Sequence, residues 1–435
     1  MKISFLSLAA AILLLSFPTV HGSVPGDEHW DSQFGLVGTS DRLQAISIFN
    51  NKIYVGSVFF AAGNTKANSV AGYDGTNWFR LNNGVSPPNN AFVYDLANDG
   101  TNLYLAGSFT NVDNSGARGM ARWDGNNWWP LAGGNPNSLA ACIKIVGTNF
   151  FVGGAFTTNG GVTVNGLARW DGSGWHALGS GVAGGTPGTY VLAMESDGTN
   201  LYVGGSFTQA GGITASNVAR WNGSTWSAMG NGFATGFSGG IYALQKFGND
   251  IYIGGSFTNS PLGIYNFARW DGAAWSPVGT GANGAVRCFL VVGSNLYVGG
   301  DFSQINGVAA NRIAKWDGTT WSPLGSGIQG YGAGSGLGIY KMALDNQGRL
   351  IAAGNMSQAG GVGVSHIAGW DGTNWFALGG KTSKGLSHFI GVAQGLYCDG
   401  TNLFAGGFFT EGGATIVNGT ARWDGTNWYS LGPVV

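Results

Sequence analysis

The stretch that decides the fold is residues 191–230, which read VLAMESDGTNLYVGGSFTQAGGITASNVARWNGSTWSAMG. It contains four short apolar or alternating runs, and each run ends at a turn signal. Asp197-Gly198 separates the first two runs, a Gly-rich loop (209–216) the next two, and Asn222-Gly223 the last two. Alternating runs joined by Asx-Gly turns are typical of antiparallel hairpins. The stretch therefore predicts a four-stranded antiparallel meander.

The same pattern recurs eight times in the chain, with a period of 46 to 54 residues between successive Asx-Gly turns. The turns begin at Asp74, Asp124, Asp171, Asn222, Asp271, Asp317, Asp371 and Asp424. Of the 17 tryptophans, seven directly precede a turn and eight follow one, so only Trp30 and Trp129 lie elsewhere. Large aromatic side chains at regular positions predict burial between neighbouring sheets.

Eight repeats of four strands with this period predict an all-β fold, an eight-bladed β-propeller of four-stranded antiparallel blades over residues 41–435. Residues 23–40 form a separate N-terminal segment, in which Trp30 resembles the start of a fourth strand. We expect this segment to latch the ring by pairing with the last blade. The alternative is a fifth, outermost strand on that blade.

Residues 1–22 have the features of a secretory signal peptide: Lys2, an apolar run from Leu6 to Leu15, and a small-residue site at Gly22. The alternative is an uncleaved anchor, but the apolar run is short for one. No later stretch is long and apolar enough to span a bilayer. We therefore expect an exported protein that is secreted, periplasmic or on the cell surface, and monomeric.

The repeat, exemplified by ARWDGSGWHALG at residues 168–179, resembles WD-repeat and kelch-type propellers in its layout. It is most similar to secreted bacterial propeller repeats of the form Ala-Arg-Trp-Asp-Gly-x-x-Trp-x-x-Leu-Gly. It lacks the Gly-His pair of cytosolic WD repeats and the metal ligands of galactose oxidase. The resemblance therefore implies an architecture and does not imply an activity.

Cysteine usage indicates free thiols. The chain has three cysteines, and Cys142 and Cys288 fall at one equivalent position of their repeats, where other repeats have Ala or Gly. A small buried apolar side chain is the simplest interpretation of that position. Equivalent positions three blades apart are too distant for a disulfide, so Cys142, Cys288 and Cys398 are all predicted to be free.

The predicted topology gives the ring two different ends. The turns between the first and second strands and between the third and fourth strands meet at one end, which we call the turn end. The opposite end, the loop end, carries the long connections from the second strand to the third and from one repeat to the next. Binding sites are commonly built on long loops of a rigid scaffold, so we expect binding at the loop end.

Candidate ligand-binding residues lie where the inner strands begin at the loop end. One position of each repeat is predicted to line the entrance of the central channel, with Tyr340 in a register one residue looser. The polar candidates there are Gln44, Tyr94, Tyr242, Arg287, Tyr340 and Gln394. A polar ligand or a peptide segment would suit such a ring. The alternative is that these side chains plug the channel and bond to each other or to water.

Two acidic residues depart from the repeat: Asp95 in the inner strand of repeat two and Asp301 at the end of the second strand of repeat six. In an eight-fold ring these repeats face each other, so the two carboxylates are candidates for general acid/base chemistry. A glycosidase pair must lie within about 10 Å, which the width of such a ring disfavours. No histidine, cysteine or acidic spacing matches a metal site, so no cofactor is predicted.

The low charge of the chain limits which class of ligand it can bind. The formal net charge is −1, about 9% of residues are charged, and no basic stripe is present, which argues against nucleic acid. The sequence favours a non-enzymatic binding or adhesion module with a protein or glycan ligand. The alternatives are a lectin with repeated sites between blades and a carbohydrate-active enzyme at the channel mouth.

Overall fold

A computed structural model describes residues 38–378 apart from 64, 87–90, 132, 187, 235–238, 260–261 and 331–336. Beyond these it describes residues 386–387, 392–398, 402–408, 411–412, 415–417, 420–424 and 427–431. The predicted signal peptide and the strand around Trp30 lie outside the described residues, so both stay predictions.

The described residues form eight four-stranded antiparallel sheets, numbered here in chain order, and contain no α-helix. The inner strands are Leu43–Phe49, Phe92–Asn98, Ala140–Val146, Tyr190–Ser196, Gly240–Phe247, Val286–Val292, Gly338–Leu344 and Val392–Cys398. The second strands are Lys52–Ser57, Leu103–Ser108, Asn149–Gly154, Leu201–Ser206, Asp250–Asn259, Asn295–Gly300, Leu350–Asn355 and Leu403–Phe408. The third strands are Val70–Tyr73, Met120–Trp123, Leu167–Trp170, Val218–Trp221, Ile264–Trp270, Ile313–Trp316, Ile367–Trp370 and Thr420–Trp423. The outer strands are Trp78–Arg80, Trp128–Pro130, Trp175–Ala177, Trp226–Ala228, Trp275–Pro277, Trp321–Pro323, Trp375–Ala377 and Trp428–Ser430. The predicted meander is thus confirmed in every repeat.

The Asx residues hold the turns between third and outer strands. In the turn of sheet 1, Oδ1 of Asp74 accepts hydrogen bonds from the main-chain N–H groups of Thr76 at 2.8 Å and Asn77 at 2.7 Å. The same pair of bonds recurs at Asn222 and at Asp317. A side-chain oxygen that satisfies two N–H groups explains why Asx opens these turns.

The tryptophan that follows each turn packs its sheet against the preceding sheet. Its side chain is at most 9% exposed in all eight repeats. Indole Nε1–H groups donate to main-chain oxygens that follow the outer strand of the preceding sheet, as from Trp226 to Leu178 at 2.7 Å and from Trp275 to Met229 at 2.7 Å. The predicted structural role of these tryptophans is confirmed.

Seven sheets form a closed ring. Each inner strand contacts the inner strand of the next sheet, and the inner strand of sheet 1 contacts that of sheet 7. Seven apolar clusters fill the seven interfaces between neighbouring sheets. One of them joins Trp78 and Val55 of sheet 1 to Ile351 and Leu378 of sheet 7.

The predicted four-stranded sheets are present, but the predicted ring of eight blades is not confirmed, because the contacts among the described residues close a ring of seven sheets. The physical reason is that sheet 7 covers the apolar face of sheet 1 that an eighth blade would otherwise cover. Described residues of sheet 8 include the buried Ala405, Val417, Ala421 and Trp428. None of these four belongs to the seven clusters that join the ring.

Gly38 and Thr39 bridge the first and the last sheets of this ring. The Thr39 N–H donates to the main-chain oxygen of Ser365 at 3.1 Å, and the Gly63 N–H donates to that of Gly38 at 2.7 Å. Between sheets 3 and 4, the connecting segment makes the same bonds, from Val182 to Asn165 and from Gly211 to Gly181. Gly38 and Thr39 thus take the place of a connection between sheets 7 and 1.

The loop end is more regular than the sequence analysis expected. Most connections from second to third strand contain a two-stranded hairpin, and several segments between sheets pair with the hairpin that follows. The hairpin strands are Ala61–Ala62 with Thr65–Lys66, Thr158–Asn159 with Val162–Thr163, Gln209–Ala210 with Ile213–Thr214, Gln304–Ile305 with Val308–Ala309, Gln358–Ala359 with Val362–Gly363, and Glu411–Gly412 with Thr415–Ile416. The other short strands are Val85–Ser86 with Asn111–Val112, and Val182–Ala183, Ile328–Gln329 and Leu386–Ser387, which pair with the hairpins that follow them.

A glycine pair was the missed signal for the hairpins that turn at residues 160–161, 211–212 and 360–361. Gly211 and Gly212 have φ values of +59° and +81°, and the equivalent Gly360 and Gly361 have +58° and +87°. These left-handed values are costly for residues with a Cβ, so a Gly-Gly pair between short extended runs predicts a tight two-residue turn.

Deletion of the eighth repeat tests the ring of seven. A chain of residues 23–385 should unfold in one cooperative thermal transition, with a Tm within about 5 °C of the full chain, because all seven interfaces remain. A chain that ends at residue 330 lacks sheet 7 and is the control, which should lose cooperative unfolding. Loss of cooperativity in the 23–385 chain would contradict the seven-sheet ring.

Two of the three predicted free thiols lie in the described structure. Cys142 and Cys288 are free and buried, whereas the side chain of Cys398 lies outside the described residues. Burial raises the pKa of the Cys288 thiol to about 12 and also raises the pKa of Cys142. A thiol with a raised pKa forms little thiolate, and the thiolate is the reactive species, so both cysteines should be unreactive.

A thiol-reactive dye should therefore label at most one cysteine of the native protein at pH 8 and all three after denaturation. Mass spectrometry of labelled peptides identifies the modified positions. Rapid native labelling of Cys142 or Cys288 would contradict the buried placement.

Candidate binding site at the channel mouth

Every inner strand carries a β-bulge near its start. The pairing of the inner strand with the second strand skips one residue in each sheet. The skipped residues are Gln44, Tyr94, Ala141, Leu192, Tyr242, Arg287, Tyr340 and Gln394. A bulge redirects a side chain out of the regular alternation. The seven bulge residues of sheets 1–7, all half-buried, are called the mouth below.

The bulges show that the residues predicted to line the channel occupy one equivalent position, and they correct one register. Tyr340 was expected one residue out of register, but the skip between Ile339 and Lys341 places it at the same bulge as the other mouth residues. Gln394 lies in the described inner strand of sheet 8, and its side chain lies outside the described residues. Gln44 occupies the bulge of sheet 1.

Three neighbouring sheets build an aromatic and cationic cluster at the mouth. The guanidinium of Arg287 lies 5.2 Å from the ring centroid of Tyr242 and 5.0 Å from that of Tyr340. Its Nε and Nη2 each donate to one carboxylate oxygen of Asp301 at 2.6 Å. A two-point bond between Arg and a carboxylate fixes the orientation of the guanidinium plane. Sheets 5, 6 and 7 therefore hold Arg287 between two tyrosine rings.

The electrostatics of this cluster follow from its burial and its one acid. Burial opposes the charge of Arg287, but the bonds and the attraction of Asp301 outweigh it, so the pKa of Arg287 is raised. Burial raises the pKa of Tyr242 and of Tyr340. Gly338 allows the close approach, because a Cβ there would lie 2.3 Å from Oδ1 of Asp301.

Asp95 lies one residue beyond the bulge of sheet 2 and forms an ion pair with Lys341 of sheet 7, past the inner strand of sheet 1 that lies between them. Its Oδ1 lies 2.9 Å from Nζ of Lys341 in sheet 7, and its Oδ2 accepts from the Ile143 N–H of sheet 3 at 2.8 Å. Ala45 occupies the equivalent position of sheet 1 and is fully buried. The small side chain at this position leaves room for Lys341 to reach Asp95.

The two acids of the acid/base hypothesis are thus each paired with a cation. Asp95 pairs with Lys341, and Asp301 pairs with Arg287. The premise that repeats two and six face each other belonged to an eight-fold ring. In the described ring the sheets that carry these acids are separated by two sheets on one side and three on the other.

Arg42 and Tyr190 interact electrostatically with the mouth residue Tyr94 and were missed by the sequence analysis. They lie two residues before the bulges of sheets 1 and 4, which is not the position that was predicted to line the channel. The pKa of Tyr94 is raised by burial, while the charge of Arg42 opposes the rise and Tyr190 adds to it. Arg42 acts on Tyr340 in the same way, which places its charge near the rings of sheets 2 and 7.

No family model matches the chain, and no curated protein matches it. Among solved structures, 278 chains match, at low sequence identity in those named here. One is the extracellular domain of the "putative hybrid two component system BT4673" from B. thetaiotaomicron, with 12% identity, a TM-score of 0.48, and coverage of 90% of this chain and 46% of that one. The corresponding domain of system BT3049 from the same organism has 11% identity, a TM-score of 0.49, and coverage of 91% and 48%.

A third similar structure is the computationally designed Ika8 protein, with 14% identity, a TM-score of 0.45, and coverage of 90% of this chain and 98% of the design. The chain spans about half the length of the two bacterial domains. With TM-scores below 0.5, these likenesses carry no argument about function. No helix within the described ranges is long and apolar enough to cross a membrane.

The Lys341–Asp95 pair gives a stability prediction. Lys341→Met leaves the carboxylate of Asp95, whose residue is only 6% exposed, without its cation. We expect a loss of about 2 kcal/mol in unfolding free energy, less than for a fully buried pair because the Lys341 side chain is 37% exposed. The double variant Lys341→Met/Asp95→Asn should recover part of the loss. Equal losses in single and double variants, measured by urea unfolding, would contradict the pairing.

The same pair predicts the pH dependence of stability. Burial lowers the pKa of Lys341, but Asp95 outweighs it, so the folded-state pKa lies above the ordinary 10.5. The contribution of the pair is therefore fully present below the unfolded pKa and is lost as the pH rises through the folded one. Unfolding free energies from neutral pH to pH 11 should fall more steeply for the native chain than for the double variant.

Proposed function

We propose that the protein is an exported, non-enzymatic binding module that engages a protein or glycan ligand at the mouth of its loop end. The observation that carries this proposal is Arg287, held in one orientation by Asp301 between Tyr242 and Tyr340. Tyrosine and arginine dominate the residues that contribute most to binding energy at interfaces.

Preorganisation is the proposed source of affinity. Rigid side chains that already occupy their bound positions lose little conformational entropy when a ligand arrives. The ring supplies this rigidity, because the three mouth side chains come from neighbouring sheets with a shared apolar packing. Selectivity would come from shape, since the one acid and one base of the cluster neutralise each other.

A role in acid/base catalysis receives less support. A general acid or base needs a pKa near the working pH and access to the substrate. Asp301 is committed to a two-point bond with Arg287, and Asp95 to Lys341 and a main-chain N–H. Export is proposed on the N-terminal signal sequence alone.

The proposal is tested with arrays of glycans and of extracellular proteins, probed with residues 23–435. A ligand found in this way should bind Tyr242→Ala and Tyr340→Ala at least about tenfold more weakly, which corresponds to about 1.4 kcal/mol. Tyr265→Ala is the matched control, because this tyrosine of sheet 5 is 47% exposed and lies outside the inner strand. Unchanged affinity in both mouth variants would contradict the proposed site.

A further inference from the structure

Two clefts open at the turn end, on the opposite side of the ring from the mouth. One lies between sheets 7 and 1 with a volume of about 320 Å³, and the other lies between sheets 3 and 4 with a volume of about 230 Å³. Some of their lining residues are equivalent in the repeat. Each has an Ala-Leu pair on one sheet, at 377–378 or 177–178, and an aromatic ring and a turn glycine on the next.

Each cleft combines three kinds of side chain. The aromatic ring is Tyr73 in the first cleft, where 6% of the residue is exposed, and the half-buried Trp221 in the second. Side-chain amides come from Asn51 and Asn346 in the first cleft and from Asn149 and Asn200 in the second. A guanidinium comes from Arg349 or Arg169.

The source of the cation differs between repeats, but every repeat has one. Six repeats carry it in the third strand, at Arg122, Arg169, Arg220, Arg269, Lys315 and Arg422. Sheets 1 and 7 have Gly72 and Gly369 there. In these two sheets, the position directly before the second-strand residue that pairs with Tyr73 or Trp370 is Lys52 or Arg349, where the other sheets have Asn or Asp. In sheets 1 and 7 the cation therefore comes from the second-strand position, and in the other six sheets it comes from the third strand.

Aromatic stacking holds the exchanged cations in place. Gly72 and Gly369 leave space for the rings of Phe79 and Phe376, which a Cβ at either glycine would meet at about 2 Å. Nζ of Lys52 then lies 5.0 Å from the Phe79 centroid. The guanidinium of Arg349 lies 4.5 Å from the Phe376 centroid.

Arg349 retains donors for a ligand. Its Nε and Nη2 both bond Oδ2 of Asp345 at 2.7 Å. A guanidinium has five N–H donors in a fixed fork, so these two bonds leave others on a side chain that lines the cleft and is 35% exposed.

We propose that these clefts are binding sites for pyranose sugars, one ring per cleft. A pyranose has an apolar C–H face that packs on an aromatic ring, and a rim of hydroxyl groups that bond to amides and guanidinium groups. Concave sites with an apolar wall and a few convergent polar groups are the usual form of small-molecule sites. The acids near each cation favour neutral sugars over anionic ones. This inference is independent of the function proposed for the mouth.

The test is saturation-transfer NMR on residues 23–435 with the methyl glycosides of glucose, galactose, mannose and N-acetylglucosamine. Each is used at about 10 mM, which largely occupies even a site with a Kd of about 1 mM. Thr199→Trp fills the cleft of sheets 3 and 4, and Asn346→Trp fills that of sheets 7 and 1. Both residues are exposed turn residues that line the clefts. Thr214→Trp, in an exposed hairpin of the loop end, is the matched control.

We expect the signal of at least one glycoside to fall in each single cleft variant and to fall further in the double variant. The control should keep the native signal, and thermal unfolding should confirm that all variants fold. Absence of transfer from all four glycosides, or an undiminished signal in the double variant, would overturn the inference. A signal lost in Tyr242→Ala but kept in the cleft variants would overturn it while supporting the mouth as the sugar site.

Discussion

The constraint on which the structure depends is that every sheet of the ring is apolar on both faces. A four-stranded sheet that exposed one such face to water would leave side chains such as Val55 and Ile351 uncovered, at a cost of about 25 cal/mol per Å². Packing the sheets face to face covers both faces of every sheet only if the last sheet also packs against the first. In this chain the contact between sheets 7 and 1 meets that requirement. The bulges, the mouth and the clefts all follow from the resulting ring.

Much of this was accessible from the amino-acid sequence, because it depends on local chemistry. Asx-Gly turns, the tryptophan after each turn and the inner-strand position at Tyr242 or Arg287 are encoded within one repeat. The number of blades in the ring is different, since it depends on the angle between packed sheets. Eight repeats with near-identical motifs say nothing about which two of them meet. Gly38 and Thr39 supply that information through their bonds to sheets 7 and 1.

The candidate site was predicted in part for the same reason. Tyr242, Arg287, Asp301 and Tyr340 were all identified, but their assembly around one guanidinium depends on the order of three neighbouring sheets. The partner of Asp95 was not predictable, because Lys341 belongs to the far side of sheet 1 and is adjacent only in a ring of seven. The sequence shows that repeat one has Gly72 at the third-strand position of the cation and Lys52 in the second strand. That Lys52 replaces the missing cation became clear only from its stacking on Phe79.

Cysteine cross-linking is the most direct test of where the ring closes. In a background with the three native cysteines changed to Ala, Thr39→Cys is combined with Ser365→Cys of repeat seven. A second protein combines it with Asn418→Cys, the equivalent position of repeat eight by sequence. The account predicts a disulfide in the first protein, seen as a mobility shift on a non-reducing gel, because Thr39 and Ser365 are hydrogen-bonded neighbours. A disulfide in the second protein and none in the first would contradict a ring of seven.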